Sequence, residues 1–159
     1  MANKLVACTV AAIAVALMFL AVPRAFAQDC GSVPTEPFPT AASGPAAGLS
    51  GVWTGTWTVQ AGVRARERHN VTYCTQLHVS VTDAQSAAVM YCSAAQPEAN
   101  IPKFCIKLAA KIAGSALTFT TRSNYTYTFT LANPATLHGQ FISVFHASEQ
   151  RTVETDFHK

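Results

Sequence analysis

Gly51-Val52-Trp53-Thr54-Gly55-Thr56-Trp57 is the stretch on which the reading of this chain turns. Trp53 and Trp57 are its only two tryptophans, and they share odd positions with Gly51 and Gly55. Successive side chains of an extended strand alternate between faces, so these four residues point one way and Val52, Thr54 and Thr56 the other. Two large apolar rings separated by glycine suit a strand that curves around an interior. The stretch predicts the opening strand of a closed barrel.

Upstream the composition changes. Residues 30–48 are rich in Pro, Ala, Gly and Ser, and Pro34, Pro37, Pro39 and Pro45 exclude a helix or a central strand. Residues 28–48 read as an extended lead-in to a single domain at 49–159. Before it, Lys4 precedes an apolar run over residues 5–22, and Ala25-Phe26-Ala27 fits a small-x-small cleavage site. Residues 1–27 therefore read as an export signal, with the mature chain starting near Gln28. The run approaches the roughly 20 residues of a membrane-spanning helix, the competing reading. Its N-terminal position and cleavage site favour the signal. Leu5-Val6-Ala7-Cys8 imitates a lipoprotein box, but it stands before the apolar run instead of after it. The expected location is periplasmic or secreted, with no membrane span once the signal is removed.

Most of the formal net charge of +3 belongs to that segment, because Lys4 and Arg24 leave with it. The remaining basic and acidic residues nearly balance. Nucleic acid as a partner needs a concentrated cationic face, which this chain lacks.

Cys8 also leaves with the signal, so Cys30, Cys74, Cys92 and Cys105 remain, an even number suited to an oxidising compartment. Four thiols allow three pairings. Joining Cys92 to Cys105 would tie the base of a segment carrying Pro97 and Pro102 and leave Cys30 to anchor the lead-in on Cys74. No Cys-x-x-Cys or His-x-x-x-His spacing supports zinc, so no metal is expected.

Downstream of Trp57 the residue types become Thr, Val, Tyr, Phe and Ile, which fit a pleated, half-buried surface. Val71, Tyr73, Thr75, Leu77, Val79 and Val81 alternate with Thr72, Cys74, Gln76, His78 and Ser80. A polar turn at 83–86 then leads to a strand at 87–92. Residues 104–113 are ambiguous, because Ile106, Leu108 and Ala110 alternate as in a strand while Lys103, Lys107 and Lys111 recur at helical spacing. The strand reading is favoured. Turns at Gly114-Ser115, Arg122-Ser123-Asn124 and Asn133-Pro134 separate three more strands, and residues 152–157 make a last short one. The pattern predicts an all-β chain, an antiparallel up-and-down barrel of about eight strands.

Gly51-Val52-Trp53 resembles the start of strand one in the calycin superfamily of lipocalins, fatty-acid-binding proteins and avidins. Leu137-His138-Gly139-Gln140-Phe141 is similar to a late-strand Leu-x-Gly-x-aromatic of the same barrels. The resemblance implies that Trp53 closes the barrel floor with a late basic residue packed over it, a role that falls to Arg151. Thr155-Asp156-Phe157 stands too near the C-terminus to be the lipocalin Thr-Asp-Tyr loop, and both tryptophans in one strand depart from an avidin biotin site.

A cavity in such a barrel would be gripped by Trp57, Tyr73, Tyr91, Tyr127, Phe129 and Phe141, drawn from an interior that also holds Phe119, Tyr125 and Phe145. Arg64, Arg66 and Arg68 alternate after strand one and would make an anion clamp if they shared a face. His78 and His138 would have to meet across the lumen to bind a metal or haem-like group. No cofactor is expected. The acidic residues fall mostly in tails and turns, and the chain has no Gly-x-Ser-x-Gly or His-Glu-x-x-His.

These features favour an exported, non-catalytic protein that binds a small apolar or aromatic molecule. The alternatives are a protein-interaction module such as an enzyme inhibitor and, third, an enzyme of unrecognised type. Val71-Thr72-Tyr73-Cys74 with Leu77-His78-Val79 resembles the strand pattern of periplasmic lysozyme inhibitors. If the signal reading is right, intact-mass measurement of protein recovered outside the cytoplasm gives a chain starting at Gln28; a chain still carrying Met1 refutes it.

Overall fold

The computed structural model describes residues 30, 33–34, 36–39, 46–62, 65–145 and 149–159, with the backbone alone at 65, 143–145 and 149–151. The signal reading at 1–27 lies outside the described residues. Eight strands follow one another: β1 (Gly51–Ala61), β2 (His69–Val81), β3 (Ser86–Ser93), β4 (Phe104–Ala113), β5 (Ala116–Thr120), β6 (Thr126–Asn133), β7 (Thr136–Phe145) and β8 (Glu149–His158). Each pairs antiparallel with the next, and β8 returns to β1 to close an up-and-down barrel. Residues 104–113 form strand, not helix. A lysine every fourth residue shares a face in either geometry, because four is an even step along a strand and about one turn of a helix.

Alternation in the sequence sets which side chains enter the barrel. Trp53, Trp57, Tyr73, Leu77, Val79, Val89, Tyr91, Leu117, Phe129, Leu137 and Phe157 belong to one buried core. On β2 and β3 the outward face is buried as well. Val33 of the lead-in packs with Cys74, Met90, Cys92 and Ala94 in a second apolar cluster, with Phe38 against it. The described residues of the lead-in around Val33 and Phe38 thus cover the outside of the barrel and convert an apparently polar face of β2 into an interior. Disulfides hold this arrangement: Cys30–Cys74 ties the lead-in to β2, and Cys92–Cys105 joins residues directly opposite each other on β3 and β4. A crosslink of this kind typically contributes about 3 kcal/mol.

One end of the barrel is sealed. The Trp53 indole N–H donates to the Leu49 carbonyl at 2.9 Å, and the backbone N–H of Val81 donates to Ser50 Oγ at 3.1 Å, which draws the turn Ala47–Leu49 across the floor. Lys159 places Nζ 4.3 Å from the centre of the Trp53 ring and donates to the Gly48 carbonyl at 3.1 Å. A cation does cover Trp53, then, but it is Lys159. The Arg151 side chain lies outside the described residues, and its backbone sits opposite Ser143, well along β8 from the rung where Phe157 meets Gly55.

Two seams in the wall are short. β1 and β8 meet only at Thr54↔His158 and Gly55↔Phe157, and β4 meets β5 only from Lys111 to Ala113. Side-chain packing compensates at the first. A methyl group on Gly55 would lie 2.7 Å from the Phe157 ring, and one on Gly139 would lie 2.9 Å from Phe129 and 3.2 Å from Trp57. Both glycines make room for rings. Gly139→Ala should therefore lower stability by about 1–3 kcal/mol through overpacking, read from the urea midpoint. An unchanged midpoint would show that the rings can move aside.

Candidate functional site

Up-and-down connectivity places the short turns after β2, β4 and β6 at the sealed end and the longer connections after β1, β3 and β5 at the other. A cavity of about 880 Å³ opens at that second end. This lies within the roughly 300–1,000 Å³ range of small-molecule sites. Its walls are Tyr73 on β2, Tyr91 on β3, Phe104, Ile106 and Leu108 on β4, Tyr125 and Tyr127 beside and on β6, and Phe141 on β7. Gln60, Asn100 and Arg122 contribute polar groups.

The lining is aromatic because β2, β3, β4, β6 and β7 each present a ring to this space. Tyr91 lies 5.0 Å from Tyr127 and 5.9 Å from Phe104, and Tyr127 lies 5.0 Å from Phe141, centre to centre. Tyr125 meets Phe141 edge-on at 6.3 Å. The phenol groups of Tyr73, Tyr91 and Tyr127 converge, with the Tyr91 hydroxyl interacting with both of the others. Burial is the main cause that raises all three above the ordinary tyrosine value; nearby phenols add to the rise by charge repulsion, while the hydrogen bond with Tyr91 works against it at Tyr73 and Tyr127. They remain neutral hydroxyls through the physiological range, able to donate and accept.

Four of the six ring residues expected from the sequence line this space: Tyr73, Tyr91, Tyr127 and Phe141. Trp57 and Phe129 do not. Both are fully buried in the packed layer beneath it, where Trp57 meets Phe141 at 4.8 Å, Phe157 at 5.4 Å and Tyr127 at 5.9 Å, all edge-to-face. The Trp57 indole N–H has no hydrogen-bond partner among the described residues. Alternation alone could not separate the two sets, because inward residues at different heights carry the same periodicity. Ile106 and Leu108 were legible as alternating residues of β4, yet nothing local marked them, or Phe104, as cavity wall.

The arginine expectation is corrected. Ala65–Glu67 is a 3-10 turn, in which residues two apart point in different directions, so the spacing of Arg64, Arg66 and Arg68 does not give a common face. Arg64 lies outside the described residues, Arg66 is exposed, Arg68 is half-buried, and neither of the latter lines the cavity. Arg122, in the turn between β5 and β6, is the arginine that does.

His78 and His138 do not meet in the lumen, since both point outward. His78 is buried on the outer face of β2, where loss of water lowers its pKa, and His138 is exposed with Nδ1 2.9 Å from Asp156 Oδ1. His69 lies 3.9 Å from Glu98 near the open end, and His146 lies outside the described residues. Among the described residues no three His, Cys, Asp or Glu side chains gather as a metal site.

No protein-family model matches the chain, and no curated protein matches it either.

The buried phenols make a sign-specific prediction. A tyrosine whose folded pKa is raised binds its proton more tightly when folded, so its contribution is intact below the unfolded value of about 10 and is lost as pH rises beyond it. Absorbance at 295 nm should show Tyr73, Tyr91 and Tyr127 ionising only as the barrel unfolds in alkali, with stability falling above about pH 10. Ionisation of Tyr73, Tyr91 and Tyr127 in a still-folded protein near pH 10 would contradict the buried cluster.

Proposed function

We propose that this protein is an exported, non-catalytic binding protein whose open-end cavity holds a small, flat, apolar or aromatic ligand. The observation that carries this reading is the convergence of Tyr73, Tyr91, Phe104, Tyr125, Tyr127 and Phe141 around one space of about 880 Å³. Rings on several sides supply burial and edge-to-face contacts, each contact worth about 0.5–1.5 kcal/mol beyond the buried area. The neutral phenols, with Gln60 and Asn100, would orient a hydroxyl or carbonyl on the ligand. Among its described lining residues the cavity holds no histidine and no carboxylate, which favours holding over turnover. No cofactor enters the reading.

Two disulfides fit an oxidising compartment, and among the described residues no helix is long and apolar enough to cross a membrane. The disulfides support the exported location, periplasmic or secreted, that residues 1–27 suggest.

The test is titration with 2-naphthol, followed by its fluorescence. Leu108→Trp, which fills the cavity from β4, should weaken binding about tenfold or more, equivalent to 1.4 kcal/mol, with the fold retained. Trp57→Phe should leave affinity near that of the parent and instead lower stability by about 1–3 kcal/mol, because Trp57 packs below the site. No saturable binding up to about millimolar ligand would end this reading.

A further inference from the structure

The second short seam leaves part of a β-strand edge without a partner. β5 pairs with β4 at Lys111, Ile112 and Ala113, then follows β6 alone from Phe119 to Thr120, so among the described residues no ladder joins β5 to Phe104–Ala110. On its other edge β4 is fully paired with β3, from Phe104 to Lys111. The orientation of the free groups follows from parity. Ile112 sends its N–H to Gln85 at the β3 side, at 2.8 Å, so even-numbered residues of β4 bond toward β3 and odd-numbered ones toward the seam. Cys105, Lys107 and Ala109 therefore aim their N–H and C=O groups into the gap, over a span of about 13 Å.

Chemistry on the two faces of this edge differs. Ile106 and Leu108 point into the aromatic cavity, while exposed Lys103, Lys107 and Lys111 line the outside. Arg122 stands across the gap, in the turn after β5. Glu36 of the lead-in lies 3.6 Å from Lys107, in an exposed pair that an incoming carboxylate could replace.

We propose that the seam between β4 and β5 is a strand-addition site for an extended segment of another protein in which acidic and apolar residues alternate. An antiparallel strand laid on Cys105, Lys107 and Ala109 would complete their hydrogen bonds. Its residues opposite Ile106 and Leu108 enter the cavity, so they are apolar. Those opposite Cys105, Lys107 and Ala109 face outward beside the lysines, so they are acidic. The lysine stripe also disfavours a second copy of this chain, because an antiparallel β4 to β4 pair would bring like charges together. This site shares one wall with the small-molecule cavity, but it stands on the unpaired backbone, which 2-naphthol binding does not need.

The test uses a fluorescein-labelled peptide, Glu-Phe-Glu-Val-Asp-Ile-Glu, and fluorescence anisotropy on the intact protein. The acidic residues carry the amides that face β4, so N-methylating them should weaken binding about tenfold or more, whereas N-methylating the apolar residues should leave it within about twofold. Replacing both Lys103 and Lys107 by glutamate should weaken the acidic peptide and favour one with lysine in place of its acids. Equal losses for the two methylation patterns would overturn strand addition and leave a cavity filler. No binding of any peptide would mean that the lysines only guard the edge, and dimerisation through β4 in sedimentation would make a second copy the occupant. The 2-naphthol affinity, measured on the same samples, reports separately on the cavity.

Discussion

The contact between Gly55 and Phe157 is the constraint on which the barrel depends. Only two rungs join β1 to β8, too few hydrogen bonds to hold a closed sheet without help. The Phe157 ring lies against the bare backbone of Gly55 and meets Trp57 and Phe129 edge-to-face, at 5.4 and 5.2 Å. Gly139 gives the same layer its remaining space. A missing side chain at each of two positions lets three rings close the seam, and the wall is held there by packing more than by backbone pairing.

That layer divides the lumen along its axis. Below it, Trp53, Leu49 and Leu77 fill the interior and Lys159 caps the floor. Above it the rings stand at the wall and leave a cavity. The asymmetry follows from connectivity: short turns at one end draw the strands together, and the longer connections after β1 and β3 let the other end spread. The five-residue β5 adds to this, because a strand that stops pairing early opens the wall beside the cavity. An aromatic pocket and an exposed backbone edge thus arise from one cause.

The lead-in completes the domain instead of merely spacing it. Small domains gain little from one core, so covering the outer face of β2 and β3 with Val33 and Phe38 adds a second buried cluster. Cys30–Cys74 anchors it there, and the Pro34 carbonyl oxygen lies 3.4 Å from the disulfide-bonded Cys105 Sγ near the β4 edge. Its prolines ruled out regular structure but not packing.

By itself the sequence determined the strand content, the order of the strands and which residues point inward, because period-two alternation and turn residues are local properties. It also pointed to a barrel start at Gly51 to Trp57, and the cysteine positions suggested the pairing that the structure contains. Height along the barrel axis was decided only by the tertiary structure. Trp57 and Tyr73 sit opposite each other in register, yet one is packed below and the other lines the cavity, since ring size and neighbours on distant strands set the boundary. The same holds for the cation over Trp53. Lys159 reaches that ring and Arg151 is placed far along β8, because closure brings the chain's last residue back to its first strand, a relation between residues about a hundred positions apart that no local pattern encodes.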